Sequence, residues 1–169
     1  DNNILILNKH SPTLIIDEEA ADPANRFRMA AWDWTEGKQG FWVADSADGL
    51  NWTEHPDNPI MVTSDEVLET ITVAREPRTG EYFGFHRRWG EGDHIFNKKR
   101  LVAVATSKDF REWSDPKLIF APDAQDDAWV QDPGQRTEFY GMAGFCYGGQ
   151  FLGFLPVFRV VRQVGYDDI

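Results

Sequence analysis

The sequence repeats one short phrase, and this repeat limits the folds open to the chain. SADGLNW begins at Ser46 and SKDFREW begins at Ser107, so each has a serine, an aspartate two positions later and a tryptophan four positions after that. The two serines are 61 positions apart, and so are Trp52 and Trp113. Self-similarity at a period of this length is typical of repeat architectures, so we expect a series of similar units.

Strand signals dominate the stretches between these turns. Segments of about 6 to 10 residues are rich in aromatic and β-branched side chains and are bounded by Gly, Pro, Asp or Asn. The one charged stretch that resembles a helix, residues 17–25, contains Pro23 and predicts a loop. The 12 phenylalanines and 7 tryptophans also suit strands. The sequence therefore predicts an all-β protein.

The order of the predicted strands repeats as well. Each unit has an apolar strand, an aromatic strand, an apolar strand that ends in Ser-x-Asp, and a last strand opened by tryptophan. Full units span residues 9–62 and 68–122, and a half unit spans 136–162. Four-stranded antiparallel units of about 40 to 60 residues in series predict a β-propeller, with a β-sandwich as the alternative. Phe27, Tyr82 and Phe151 are predicted to be equivalent across the three units. The aromatic residues seven positions later, Trp34, Trp89 and Phe158, are then equivalent too.

The repeated phrase itself predicts structure rather than chemistry. Short side chains with oxygen acceptors bind nearby backbone N–H groups, so the serine and aspartate are expected to form a tight turn before the outermost strand. The tryptophan that follows is expected to cover the neighbouring strand.

Composition excludes several classes of partner. The formal net charge of -11 would repel a nucleic-acid backbone. The single cysteine, Cys146, excludes an internal disulfide and is expected to be a small core residue. The sequence contains no run of about 18 apolar residues that could span a membrane, so we expect a soluble protein. Secretion and a periplasmic location are open alternatives. Because the chain does not begin with methionine, we also expect it to be processed or partial.

Several longer segments resemble a known superfamily. SADGLNW with HPDNPIM, SKDFREW with DPKLIFAPD, and TEFYGMAGFCYGGQFLGFLPVFRV resemble the five-bladed propeller proteins of glycoside hydrolase families 32 and 43 and their uncharacterised relatives. The resemblance implies a glycoside hydrolase that acts on an oligo- or polysaccharide. It also implies five blades where this chain has about two and a half. Either blades are missing, or partial propellers self-associate and thereby cover their open strand edges.

The resemblance implies that the innermost strand of each blade begins at a central funnel. His10 and Glu69 hold that position in the first two units, and Glu138 or Tyr140 holds it in the third. Cleavage of a glycosidic bond normally uses two carboxyl groups, so Glu138 is the candidate general acid and Glu69 the second carboxylate. Asp65 or Glu66 could take the place of Glu69.

His10 departs from the family pattern, which has an acid at this kind of position. It could hydrogen-bond a sugar hydroxyl or replace the missing carboxylate as acid or base. The second strands are expected to end at the rim of the funnel. Neighbouring arginines among aromatic side chains there suit an anionic sugar, because guanidinium groups bind carboxylates in a fork. The candidate substrate-binding residues are Asp33, Trp34, His86, Arg87, Arg88, Trp89 and Tyr140.

Two further alternatives stay open. A propeller of this kind can bind carbohydrate or protein without catalysis, because fold does not decide function. Asp126, Asp127 and Asp132 could bind a structural calcium ion, but their spacing matches no EF-hand and a solvated loop is the better interpretation. No cofactor is therefore expected.

Overall fold

The computed structural model describes residues 6, 8–62, 64, 67–91 and 98–161. The described residues form β-strands joined by turns, with one short 3-10 helix at Pro23–Asn25. The prediction of an all-β protein is confirmed. The strands are β1 (Lys9–Ile16), β2 (Phe27–Asp33), β3 (Gly40–Ser46), β4 (Thr53–Glu54), β5 (Met61–Val62), β6 (Thr70–Arg75), β7 (Tyr82–Glu91), β8 (Lys98–Ser107), β9 (Lys117–Phe120), β10 (Arg136–Phe139), β11 (Ala143–Tyr147), β12 (Gln150–Phe154) and β13 (Val157–Val160).

The first two sheets share one strand order and one register. The first sheet runs β1-β2-β3-β4 and the second runs β6-β7-β8-β9, with every neighbouring pair antiparallel. In the first sheet Phe27 lies opposite Ser46, and in the second Tyr82 lies opposite Ser107. The 61-residue offset in the sequence is therefore an equivalence in the two sheets.

The repeated phrase forms the same hydrogen-bonded turn twice. Ser46 Oγ accepts the backbone N–H of Gly49 at 2.9 Å, and Ser107 Oγ accepts that of Phe110 at the same distance. The aspartate of each phrase accepts two further backbone N–H groups. Burial tends to raise the pKa of Asp109, but these hydrogen bonds outweigh it and the pKa is lowered. The prediction of a structural turn is confirmed.

The residue that follows the aspartate of this turn has a left-handed backbone in both copies. Gly49 has φ 75° and Phe110 has φ 70°. Glycine adopts this conformation freely, whereas a phenylalanine is strained by it. Phe110 is 1% exposed and its ring lies 5.1 Å from that of Tyr82 and 5.8 Å from that of Trp113. Burial in this aromatic cluster offsets the backbone strain.

The first sheet has one strand more than the sequence predicts. β5 pairs with β3 beyond the end of β4. Between them the side chain of Asn58 takes the place of a strand, because it donates to the carbonyl oxygen of Val43 at 2.8 Å and accepts that residue's N–H at 3.1 Å. The outer edge of β3 is thus covered by two short strands and an amide side chain.

The third unit is a bent hairpin. β10 pairs with β13 and β11 pairs with β12, so each of the two predicted strands is broken into two. Pro156 interrupts the second strand because it has no N–H to donate to a sheet. The hairpin nevertheless continues across the break, where the N–H of Tyr140 donates to the carbonyl oxygen of Pro156 at 3.0 Å.

The inner strands lie beside one another in chain order. β1 packs against β6, and β6 packs against β11. Thr72 fixes the second contact, since its Oγ1 donates to the carbonyl oxygen of Met142 at 3.1 Å and accepts the N–H of Gly144 at 2.9 Å. The described sheets are open, with free edges.

In the described part of the chain, no helix is long and apolar enough to cross a bilayer.

Candidate functional site

The alternation of side chains along β7 divides the predicted rim residues between two faces. Successive residues of a strand point to opposite sides. His86 therefore faces the first sheet, where its ring lies 5.0 Å from that of Phe41. Arg87 faces the third unit, where its guanidinium carbon lies 4.7 Å from the ring of Tyr140. The run His86 to Trp89 is consequently not one continuous binding surface.

Backbone pairing shows which residues begin the inner strands in equivalent positions. His10 lies opposite Trp32, and the carbonyl oxygen of Glu69 accepts the N–H of Arg87 at 3.0 Å. Trp32 and Arg87 are equivalent because Phe27 and Tyr82 are. In the third unit the same position is held by Tyr140, opposite Pro156. Glu138 lies two residues earlier and opposite Phe158.

Seven side chains meet on one side of the second sheet, and we call them the Tyr140 cluster. They come from Glu69, which directly precedes β6, from β7 and β8, and from the third unit. The guanidinium carbon of Arg100 lies 4.9 Å from the ring of Trp89 and 5.4 Å from that of Tyr140. Phe158 stacks on the Tyr140 ring, with centroids 4.6 Å apart. The members of the cluster are Glu69, Arg87, Trp89, Arg100, Arg136, Glu138 and Tyr140.

Glu69 is a nearly buried carboxylate with one ionic partner. It is 8% exposed, and its Oε2 pairs with Arg87. Its other carboxylate oxygen accepts no hydrogen bond from the residues that the structure describes. Arg87 in turn lies over the ring of Tyr140. Glu69 is therefore joined to the rest of the cluster through one guanidinium group.

Glu138 is enclosed by two arginines. Its side chain is 0% exposed, Oε1 accepts a hydrogen bond from Arg136 Nε at 2.6 Å, and Oε2 pairs with Arg100. Guanidinium groups only donate, so both oxygens act as acceptors, as those of an ionised carboxylate do. A general acid must donate a proton to its substrate and must reach it. The geometry instead favours a positioning role, in which Glu138 holds Arg100 in place.

The cluster carries a local excess of positive charge. It contains three guanidinium groups and two carboxylates, in a chain whose formal net charge is -11. The side chain of Arg100 is 27% exposed, so one positive group of the cluster reaches the surface. A positive group flanked by aromatic rings on an acidic protein is suited to an anionic ligand.

His86 was predicted to bind substrate, and the structure gives it a different environment. Its side chain is 0% exposed between the first and second sheets. Burial lowers the pKa of His86 to about 4, and a hydrogen bond with the backbone of Leu68 only partly opposes this. The imidazole is therefore a neutral core group at pH 7, and it is left out of the proposed site. Arg88 is half-buried on the same face of β7.

The predicted residues of the first sheet form a separate group. His10 is exposed, its Nδ1 lies 3.0 Å from Ser11 Oγ, and its ring lies 6.3 Å from that of Trp34, which is 46% exposed. His10 and Trp34 thus share a surface, but their described contacts do not include the predicted carboxylates. An exposed tryptophan beside a histidine remains able to contact a ligand.

Asp33 has partners for both of its carboxylate oxygens. Lys9 Nζ lies 3.1 Å from Oδ2, and the N–H of Thr35 donates to Oδ1 at 2.8 Å. Burial tends to raise the pKa of Asp33, but the hydrogen bonds from Thr35 and Lys9 outweigh it and the pKa is lowered. With 4% of its surface exposed, Asp33 closes the end of β2 rather than facing a ligand.

Two members of the cluster, Arg100 and Arg136, were missed by sequence reasoning. Pairing Tyr82 with Ser107 places Arg100 directly opposite Trp89, so the hairpin register could have found it. Arg136 is two residues from Glu138 and shares its face of β10. Asp65 and Glu66, the predicted alternatives to Glu69, lie outside the described residues.

The acidic loop before the third unit supports β10. Asp127 Oδ1 accepts the N–H of Thr137 at 2.6 Å, and the carbonyl oxygen of Asp126 accepts the hydroxyl of Thr137 at 2.8 Å. Asp132 Oδ2 accepts a hydrogen bond from Gln135 at 3.3 Å. Among the described residues, no group of three or more His, Cys, Asp or Glu side chains is placed to hold a metal ion.

Cavities of about 410, 320 and 310 Å³ occur elsewhere in the described structure. The first is lined in part by His55, Asp109 and Trp113, beside one of the repeated turns. The second lies between the inner strands and is lined in part by Val73 and Cys146. None of these three cavities is lined by a member of the Tyr140 cluster.

Comparisons with protein-family models, with curated proteins and with solved structures give no match to this chain. Its class is therefore described by what the structure itself shows, an all-β protein of antiparallel sheets that carries a cluster of arginine, carboxylate and aromatic side chains.

Proposed function

We propose that this protein is a carbohydrate-active β-propeller whose Tyr140 cluster binds an acidic glycan. The fold part of the proposal is supported by the common register of the first two sheets and by the order in which β1, β6 and β11 pack. The resemblance of the sequence to propellers of glycoside hydrolase families 32 and 43 points to a carbohydrate. In this proposal the first and second sheets are one blade each, and the two short sheets of the third unit are half of another blade.

One observation carries the choice of binding over cleavage. Glu138, the predicted general acid, has no exposed surface and gives both oxygens to arginines. It cannot touch a substrate in this arrangement, but it orients Arg100 between the rings of Trp89 and Tyr140. Such an arginine pairs with a carboxylate or sulfate group of a glycan.

The proposal is tested by titrating the protein with neutral and acidic oligosaccharides in a calorimeter. An acidic glycan is expected to bind, and Tyr140→Ala is expected to weaken it by about tenfold or more, as for a buried aromatic anchor. Trp52→Ala is the matched aromatic control, since Trp52 covers a repeated turn and donates to the carbonyl oxygen of Gly49 at 3.2 Å. Equal losses in the two variants would contradict the proposal.

Glycoside hydrolysis is a second candidate, and it is favoured by Glu69. This carboxylate lies in the same cluster and has one oxygen without a hydrogen bond from the described residues. The paired mechanism would then need a second carboxyl group other than Glu138. Reducing-sugar release from a bound glycan measures this activity. If the protein hydrolyses the glycan, Glu69→Gln is expected to abolish release. Absence of release by the parent protein would exclude hydrolysis of that glycan.

A further inference from the structure

Among the described residues, the third unit has an open edge along β12. In the first two sheets the second strand is flanked on both sides, β2 by β1 and β3, and β7 by β6 and β8. β12 is the equivalent strand, and in the described part of the chain it pairs with β11 alone. A strand with unpaired N–H and C=O groups is a template for another strand.

The turn of the hairpin shows which backbone groups face the open edge. Gly148 and Gly149, with φ 56° and 76°, form a two-residue turn that is closed by the pair Tyr147 and Gln150. The two residues of the closing pair exchange backbone hydrogen bonds, and hydrogen-bonded and non-hydrogen-bonded pairs then alternate along the two strands. Phe151 and Gly153 therefore direct their N–H and C=O groups away from β11.

The face of the hairpin beside this edge is also uncovered. Phe145 and Phe154 are 39% and 71% exposed, and their rings stack 6.0 Å apart. Leu152, on the same face, is 44% exposed. The opposite face is covered, because a side chain at Gly144 would collide with the ring of Phe85 in the second sheet. An apolar face next to an unpaired strand marks an interaction site.

We propose that the β12 edge, residues 150–154, is the docking site for a further polypeptide segment with the pattern of β8 and its Ser-x-Asp turn. The repeat specifies this occupant. Because Tyr82 lies opposite Ser107, the serine of the incoming strand lies opposite Phe151 and the residue two positions before it lies opposite Gly153. The third unit then acquires the outer strands that the first two units have.

A second folded copy of this chain does not supply the segment. Its strands of the required pattern are already flanked on both sides, β3 by β2 and by β4 with β5, and β8 by β7 and β9. Pairing of two β12 edges would be a different arrangement, because neither partner carries the Ser-x-Asp turn. The occupant is therefore an unpaired segment and not a second copy.

A peptide that copies residues 98–113 is the probe, and it is added to the full chain with a fluorescent label. We expect saturable binding by fluorescence anisotropy. In the peptide, Ala105→Pro removes the N–H that would pair with Gly153 and is expected to weaken binding by about tenfold. Val104→Pro is the matched control, because the N–H of that residue points to the other side and its loss leaves the pairing intact.

The position and the occupant are checked separately. A photo-crosslinker on the peptide is expected to attach to residues 150–154. Failure of the peptide to bind at up to about 1 mM, equal binding of the two proline peptides, or attachment to β7 or β9 would overturn the proposal. So would sedimentation of the protein alone as a dimer with hydrogen-exchange protection along β12, because a second copy would then occupy the edge.

Discussion

Replacement of Glu138 by glutamine should destabilise the fold strongly. The substitution keeps the shape of the side chain and removes a charge that is fully buried between two arginines. Removing one partner of a buried ion pair costs about 3–5 kcal/mol. The side chain of Arg136 is only 10% exposed, whereas that of Arg100 is 27% exposed and can turn to solvent. We therefore expect Glu138→Gln to lower the free energy of unfolding by about 2–4 kcal/mol.

Urea unfolding followed by tryptophan fluorescence measures this loss. Glu112→Gln is the matched control, since Glu112 is exposed in a repeated turn, and its expected effect lies within about 0.5 kcal/mol. Adding Arg136→Gln to Glu138→Gln should cost less than the sum of the single losses, with a coupling of about 1–3 kcal/mol. A loss below about 0.5 kcal/mol for Glu138→Gln would refute the argument that both arginines depend on this carboxylate.

Two further predictions concern the core and the turns. The pKa of His86 is about 4 in the folded protein and 6.5 in an unperturbed histidine, so between these two pH values the imidazole is protonated in the unfolded chain and neutral in the folded protein. From pH 7.5 to pH 5 the unfolding free energy of the parent should fall by about 2 kcal/mol more than that of His86→Gln. His10→Gln, at an exposed site, should show the same dependence of unfolding free energy on pH as the parent. Equal pH dependence in the parent and in His86→Gln would contradict the burial argument. Phe110→Gly loses a buried ring, about 3–5 kcal/mol, and relieves a left-handed backbone, about 1–2 kcal/mol, for a net loss of about 1–4 kcal/mol in urea unfolding. Gly49→Ala only adds backbone strain at the equivalent position, and it should lower the unfolding free energy by about 1 kcal/mol. A Phe110→Gly protein more stable than the parent would show that the strain at Phe110 outweighs the packing of its ring.

The repeat was the most reliable guide from sequence to fold. The 61-residue offset between the two turns predicted equivalent strands, and the structure has the same register at Phe27 and at Tyr82. This worked because the turn is local: its serine and aspartate bind backbone groups within four residues. The break in the third unit was not predicted, although Pro156 could have indicated it.

The candidate site was harder to predict because it depends on which face a side chain occupies. His86 and Arg87 are adjacent in sequence, yet one is in the core and the other meets Tyr140. Strand alternation alone would have separated them. The burial of Glu138 depends on Arg100, 38 residues away, and only the register of β7 and β8 brings that arginine to the cluster.

We propose above all that the Tyr140 cluster recognises an acidic glycan. The most direct test is to compare the binding of one glycan with and without its negative charges. A glycan that binds in the calorimeter is compared with the same glycan after its carboxylates are reduced to alcohols, on the parent protein and on Arg100→Gln. The account predicts that reduction weakens binding to the parent by about tenfold or more and changes binding to Arg100→Gln much less. Equal weakening in both proteins, or equal binding of the acidic and reduced glycans to the parent, would contradict it.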